Sequence, residues 1–389
     1  MRDILLTLFC KKINHSKCTG PEILDATERH QSEVINTLRF PLIVMIVLFH
    51  MYPPEEAIVS PYTSYNLIAT FFSAHGISQL AVPTFFLISG YFFYYHLKIW
   101  NKTVYAQKLR KRIKTLLIPY LLWNGIPFLA IILVRTIIGM SSGISLNLVK
   151  EFGNSVSWLR AFWDCGIPNG HPFDVPLWYV RDLIVCSLCS PVIYFLIRKL
   201  GAIYILLLAA CFISNIWLNL TGFSARAWFF FSFGAYLSVN KVNMVCMLRK
   251  TATVTIPLSI ALLIITTFFS PILRWTKPYF DNLFLLSGVC ALIGSVSYLV
   301  SNGIIRNVPV LTKSVFFIYA FHVLPLPGIE SVTSLSKFLT AKFVVEEYVV
   351  TYFFQLIVCP IAVICACLAI YYFMHRYTPR LLSVLMGYR

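Results

Sequence analysis

Apolar and polar positions in this chain are segregated on the scale of whole helices rather than of turns. A run of about 20 apolar residues crosses the roughly 30 Å hydrocarbon layer as an α-helix. Ten such runs are predicted, at 36–53, 67–96, 114–139, 176–197, 201–220, 226–240, 252–272, 281–301, 312–328 and 348–374. The runs at 67–96 and 348–374 are longer than one crossing and predict tilt, a kink or extension past the lipid; 226–240 is short. No Pro/Gly/Ser-rich linker and no repeat of fixed period divides them. The pattern predicts an all-α polytopic membrane protein: one membrane domain over 34–376, an N-terminal tail 1–33 and a C-terminal tail 377–389.

Composition agrees. The 389 residues are 58% hydrophobic and 12% charged, where a soluble domain carries about a quarter charged residues. The net charge of +17 suggests nucleic acid only in a soluble protein. Here there is no zinc-finger spacing and no basic helix with a polar face, so nucleic acid is not an expected partner. The Lys and Arg residues instead report orientation, because cytoplasmic loops are enriched in them. Most fall in segments on the side of the N-terminal tail, and "KIWNKTVYAQKLRKRIK" at 98–114 dominates the balance. Both termini are therefore expected in the cytoplasm. The start, "MRDILLTLFCKKINHSK", is too short to span and has no small-residue cleavage site after it.

The eleven cysteines predict no disulfide framework. Most lie inside apolar runs, where cysteine acts as a small hydrophobe. Cys186 and Cys189 form a C-x-x-C within an expected span, where packing is the simpler account than redox or metal chemistry. No metal is expected.

Ionisable groups inside spans are costly and suggest function. "RFPLIVMIVLFH" places Arg39 and His50 eleven residues apart. That is about 1,100° of rotation and roughly 16.5 Å of rise. Both side chains fall on one stripe, Arg39 at the cytoplasmic edge and His50 near mid-membrane. Imidazole suits general-base work; a packing histidine and a snorkelling arginine are the alternatives. In "VPTFFLISGYFF", Pro83 permits a kink, and Ser89 and Gly90 allow close approach, as they also would in plain helix packing. "KLRKRIKTLLIPY" gathers Lys108, Arg110, Lys111, Arg112 and Lys114, either as topogenic charge that meets lipid headgroups or as a cradle for a phosphorylated ligand.

Asp182 lies about 9 Å below the outer boundary of its span and needs a partner or a proton. Arg181 is about 100° away around the helix, so the two are not expected to cap each other. Asp182 is expected either to accept from His50 or to pair with an arginine for helix assembly. In "KSVFFIYAFHVL", His322 lies nine residues beyond Lys313 with Tyr319 on its face. A polar cavity or packing alone accounts for it. Outside the spans, Trp158 and Trp163 suggest an interfacial segment in the 140–175 loop. Asp164, His171 and Asp174 make that loop either a meeting point for a hydrophilic acceptor or an ordinary surface loop. Glu330, Glu346 and Glu347 are expected to complete the same vestibule.

Taken in order, these segments resemble the acyltransferase-3 family of membrane-bound O-acyltransferases. Arg39 and His50 match its arginine-x10-histidine motif. Val82–Phe93 is similar to its Phe-Phe, Ser-Gly segment, and "FFIYAFH" at 316–322 to its late aromatic-Tyr-histidine segment. The basic loop before "IPYLLW" stands in the place of its R-x-x-R element, though here the residues are Lys111-x-x-Lys114 with Arg112 between. The resemblance implies transfer of an acyl group, commonly acetyl from acetyl-CoA, to a hydroxyl of a cell-envelope glycan, in the bacterial cytoplasmic membrane. It implies His50 as base; from their depth in the spans, Asp182, as its tautomer-setting partner, and His322 are expected as further catalytic groups. It implies Arg39, Ser89, Gly90, Lys111, Arg112 and Lys114 at the acyl-CoA donor. A secondary transporter or glycan exporter that uses intramembrane His, Asp and Arg is the alternative class, and a regulatory membrane domain without chemistry a third.

Overall fold

The computed structural model describes residues 20–50, 71, 76–97, 99–141, 155–164, 170–218, 220–324 and 357–388. Among them there is no strand; the fold is all-helical. The expected vestibule residues Glu330, Glu346 and Glu347, and most of the N-terminal tail, lie outside the described residues.

Helix α1 spans Gly20–Phe49, and α2, Ala81–Tyr94, follows the 3-10 turn Ile77–Leu80. Helix α3, Lys102–Arg112, is capped by Asn101, whose side chain accepts from the Val104 N–H at 2.8 Å. It runs through a π-turn, Ile113–Leu117, into α4, Ile118–Ser141. A short α5, Ser155–Trp163, precedes α6, Trp178–Leu188, and α7, Ser190–Leu200. Next come α8, Ala202–Ile213; α9, Ala225–Val239; α10, Met244–Phe268; and α11, Lys277–Ser301. The order ends with α12, Pro309–Phe321; α13, Cys359–Tyr377; and α14, Pro379–Leu385.

Among the described residues, six helices are long and apolar enough to cross a membrane, and a seventh crossing results if α6 and α7 count together. The described residues hold fewer crossings than the ten expected runs, parts of which lie outside them. The run at 176–197 breaks by 61° between Leu188 and Ser190. Pro191 sits in the first turn of α7, where it has no N–H to continue the preceding ladder. The runs at 201–220 and 312–328 hold helices of 12 and 13 residues. At 1.5 Å per residue these reach only about 20 Å, short of a full crossing.

Close backbone approach organises the bundle. The most extensive pairings are α10 with α11 and α2 with α9. In the second pair, a Cβ on Gly90 would lie 2.0 Å from the Phe231 carbonyl oxygen, and one on Gly234 2.0 Å from that of Leu87. Each helix thus offers a glycine where the other presents a carbonyl, the small-residue solution to packing in lipid. Helix α1 starts well before residue 34 and is already packed there. Gln31 donates to the Tyr91 hydroxyl at 3.2 Å and accepts from the Met244 N–H at 3.0 Å.

The expected C-terminal tail likewise belongs to the bundle. The Trp123 indole donates to the Leu385 carbonyl at 3.0 Å. Gly387 lies so close to the π-turn that a Cβ would stand 2.7 Å from the Thr115 carbonyl oxygen.

Candidate active site

A cavity of about 610 Å³ lies between α1, α2, the π-turn, α6 and α12, a size suited to a small-molecule ligand. Helix α1 contributes Asn36, Arg39 and Ile43 to its wall, the i, i+3, i+7 stripe of one helix face. The π-turn contributes Thr115 and Leu116, and the residues leading into it Lys111 and Arg112. An extra residue in a turn rotates the side chains that follow relative to those before, which is why such bulges recur at functional sites. Lys313 adds a fourth cation from α12. The hydroxyl of Thr312 donates to Asn307 Oδ1 at 2.6 Å and lies 3.4 Å from the Asn36 carbonyl, tying this end of α12 to α1. Met386, just past α14, completes the wall.

Beyond the cations the lining turns apolar and then aromatic, with Phe85, Ile88, Phe92, Tyr179 and Tyr319. Ser89 and Tyr179 share a hydrogen bond at 3.1 Å between hydroxyls. The Tyr319 hydroxyl donates to the Pro176 carbonyl, and the Tyr179 and Tyr319 rings meet edge-on with centroids 6.0 Å apart. Tyr319 is six residues, about 9 Å, along α12 from Lys313, and His322 follows within one further turn.

His322 is fully buried. Its Nδ1 lies 3.0 Å from the Ile318 carbonyl and 2.9 Å from that of Tyr319. Carbonyls only accept, so Nδ1 carries the proton in the neutral ring and Nε2 is the basic nitrogen. The His50 ring packs against it, centroids 5.1 Å apart at 61°. Two histidines separated by most of the chain thus form one pair next to Tyr319.

The predicted residues fall into three groups. Arg39, Ser89, Lys111 and Arg112 line one cavity, and His50 and His322 meet beside it. Gly90 and Lys114 do neither. Gly90 is spent on contact with Phe231, and Lys114 is exposed and absent from the lining. Lys108 donates to the Phe93 carbonyl in the last turn of α2 and stands over the Phe93 ring, so it serves that helix end.

Asp182 requires a correction. Its Oδ1 accepts from Arg181 Nε at 3.1 Å and Nη2 at 3.0 Å. A 100° offset does not prevent this, because the long arginine side chain curls back along the helix. Arg181 Nη1 also donates to the carbonyls of Trp163 at 2.7 Å and Gly170 at 2.6 Å. The pair ties Trp163 and Gly170 to α6, which is the helix-assembly reading; the histidine ring that packs on His50 is that of His322.

Asn36, Asn307, Thr312, Lys313, Tyr179 and Met386 were not singled out for the cavity. Asn36 could be found on the Arg39 stripe three residues earlier. Met386 carries no sequence signal, since only the docking of α14 brings it in.

An all-helical membrane bundle enclosing a cavity with cations at one end, and a histidine pair beside the other, has the form of a membrane-bound group-transfer enzyme. The family model of the acyltransferase domain, acyltransferase-3, matches residues 33–379, and the chain belongs to that family. It is a multi-pass membrane acyltransferase, and it therefore acts with an acyl donor. The transporter alternative gives way to that assignment. Among characterised proteins it is similar to the succinoglycan biosynthesis protein ExoH of Rhizobium meliloti (strain 1021). The two are 27% identical over 279 residues, 67% of this chain and 68% of the relative. No solved structure matches the chain.

Proposed function

We propose that this protein transfers an acyl group, acetyl in the first instance, from cytoplasmic acyl-CoA to a hydroxyl of a cell-envelope or exported glycan. We place it in a bacterial cytoplasmic membrane with both termini inside. The observation that carries this reading is the single cavity that gathers Arg39, Lys111, Arg112 and Lys313 at one end and reaches Tyr319, beneath the His50–His322 pair, at the other. The name of the bacterial relative, a succinoglycan biosynthesis protein, supports a polysaccharide acceptor.

In this scheme the cations hold the phosphates of the donor by charge-assisted hydrogen bonds. The apolar wall formed by Ile43, Phe85, Ile88 and Phe92 receives the pantetheine arm. His50 takes the proton of the acceptor hydroxyl as its oxygen bonds to the thioester carbonyl carbon. The C–S bond then breaks, and the proton passes to the departing thiolate. His322, with its tautomer fixed by α12, orients and buffers the charge on His50. Positioned proton transfer contributes about 10²–10⁴-fold, and holding both substrates in one frame supplies much of the remainder.

The test is deletion of the gene followed by mass spectrometry of envelope polysaccharides, with complementation by the wild type and by His50→Ala. Loss of one acyl increment, restored by wild type alone, is the expected result. Unaltered acylation on deletion would remove the glycan from the scheme, and full rescue by His50→Ala would remove the base.

A further inference from the structure

Asp174 has a buried carboxyl group with no role in the architecture. The residue is fully buried, and neither carboxyl oxygen has a hydrogen-bond partner. It occupies the N-cap of the 3-10 turn Val175–Leu177, where an aspartate ordinarily accepts from a backbone N–H two or three residues on. It makes no such cap.

Its main chain, by contrast, is firmly held. The Asp174 N–H donates to Asn124 Oδ1 at 2.9 Å, and Asn124, itself fully buried, donates to the Tyr120 carbonyl at 2.8 Å. Two residues on, Pro176 accepts the Tyr319 hydroxyl. The backbone thus anchors Asp174 two residues from the Tyr319 contact, and Tyr319 lines the cavity one helical turn from His322. Burying a carboxyl group without hydrogen bonds costs several kcal/mol. A ligand that supplies donors at that point removes the cost.

We propose that Asp174 is an acceptor-binding residue whose two free oxygens receive the neighbouring hydroxyls of a sugar diol, presenting one of them to the His50–His322 pair. The assignment rests on the acyl-transfer reading above. It differs from the donor contacts in that it acts on the acceptor alone.

The experiment uses the full chain in lipid nanodiscs. The donors are acetyl-CoA and succinyl-CoA, and the acceptor probe is envelope polysaccharide from a strain lacking the gene. Thiol release is followed against each substrate. For Asp174→Asn, the polysaccharide concentration giving half-maximal rate rises at least 10-fold. The donor dependence stays within twofold, and the unfolding temperature does not fall. Asp174→Glu keeps the carboxyl group and both oxygens but moves them by one methylene. It is the second variant should the first not fold, and it shows the same selective loss. Unaltered acceptor dependence in either folded variant overturns the assignment. So do parallel losses for donor and acceptor with a lowered unfolding temperature, which mark a structural carboxylate. A wild-type protein that releases no thiol from either donor overturns the acyl-transfer reading itself, and this proposal with it.

Discussion

His50 and His322 come from helices far apart in the chain, yet their rings pack with centroids 5.1 Å apart, and the second is pinned by two carbonyls of its own helix. In the proposed scheme a base and its orienting group act as a unit, so their losses are not additive. His50→Ala is expected to lower acyl transfer by about 10²–10⁴-fold, and His322→Ala by an amount in the same range. The double variant should be little worse than the more damaged single one. Thiol release from acyl-CoA, with membrane insertion checked separately, measures all three. Multiplied losses in the double variant would show that the two rings work independently.

The cations divide by position. Arg39 and Lys313 line the cavity, whereas Lys114 does not. A hydrogen bond to a charged group is worth about 1.5–3 kcal/mol, so Arg39→Ala or Lys313→Ala is expected to raise the donor concentration at half-maximal rate by roughly 10- to 100-fold. Lys114→Ala should move it less than twofold. Equal effects at all three positions would mean a diffuse field rather than a site.

Gly90 is expected to be a packing residue. Gly90→Ala drives a methyl group onto the Phe231 carbonyl oxygen, backbone that cannot step aside. The variant should lose about 1–3 kcal/mol of stability, read as a lower unfolding temperature and lower membrane abundance. Ser89→Ala removes only the hydroxyl contact with Tyr179 and should fold normally. A Gly90→Ala protein of wild-type stability and weakened donor use would return this glycine to the donor site.

Acid sensitivity has a source outside the membrane. Burial, and then the Arg181 charge, hold the His171 imidazole below its ordinary value, against the weaker opposing pull of Asp164 and Asp182. The unfolded chain therefore binds a proton that the native state resists. Stability is fully present above about pH 6.5 and is lost as pH falls below it. The unfolding temperature should drop between pH 7.5 and 5.5, and His171→Gln should flatten that drop. Identical profiles for the two proteins would place the sensitivity elsewhere.

The helical class and the Arg39 face of the cavity were legible because both rest on local rules. Apolar run length gives helices, and the 3.6-residue period puts Asn36, Arg39 and Ile43 on one stripe. Contacts that depend on a third element were not legible. The α6–α7 break at Pro191 halved an expected span, and short α8 and α12 stand where full crossings were counted. Gly90 reads the same whether it faces a ligand or the Phe231 backbone. For Asp182, angular spacing alone misled, because arginine reach matters more than the direction of its Cβ. Asp174 sat in what reads as an exposed loop; its burial depends on Asn124 from a helix some fifty residues earlier.

The cavity wall draws Asn36 from the first described helix and Met386 from just beyond the last. During synthesis, therefore, the cation that opens the pocket is in place long before the residue that closes it. A chain still being inserted holds an unfinished pocket, and competence arrives only when α14 docks against the π-turn. An affinity tag placed a residue or two beyond Met386 would crowd the part of this wall that is made last.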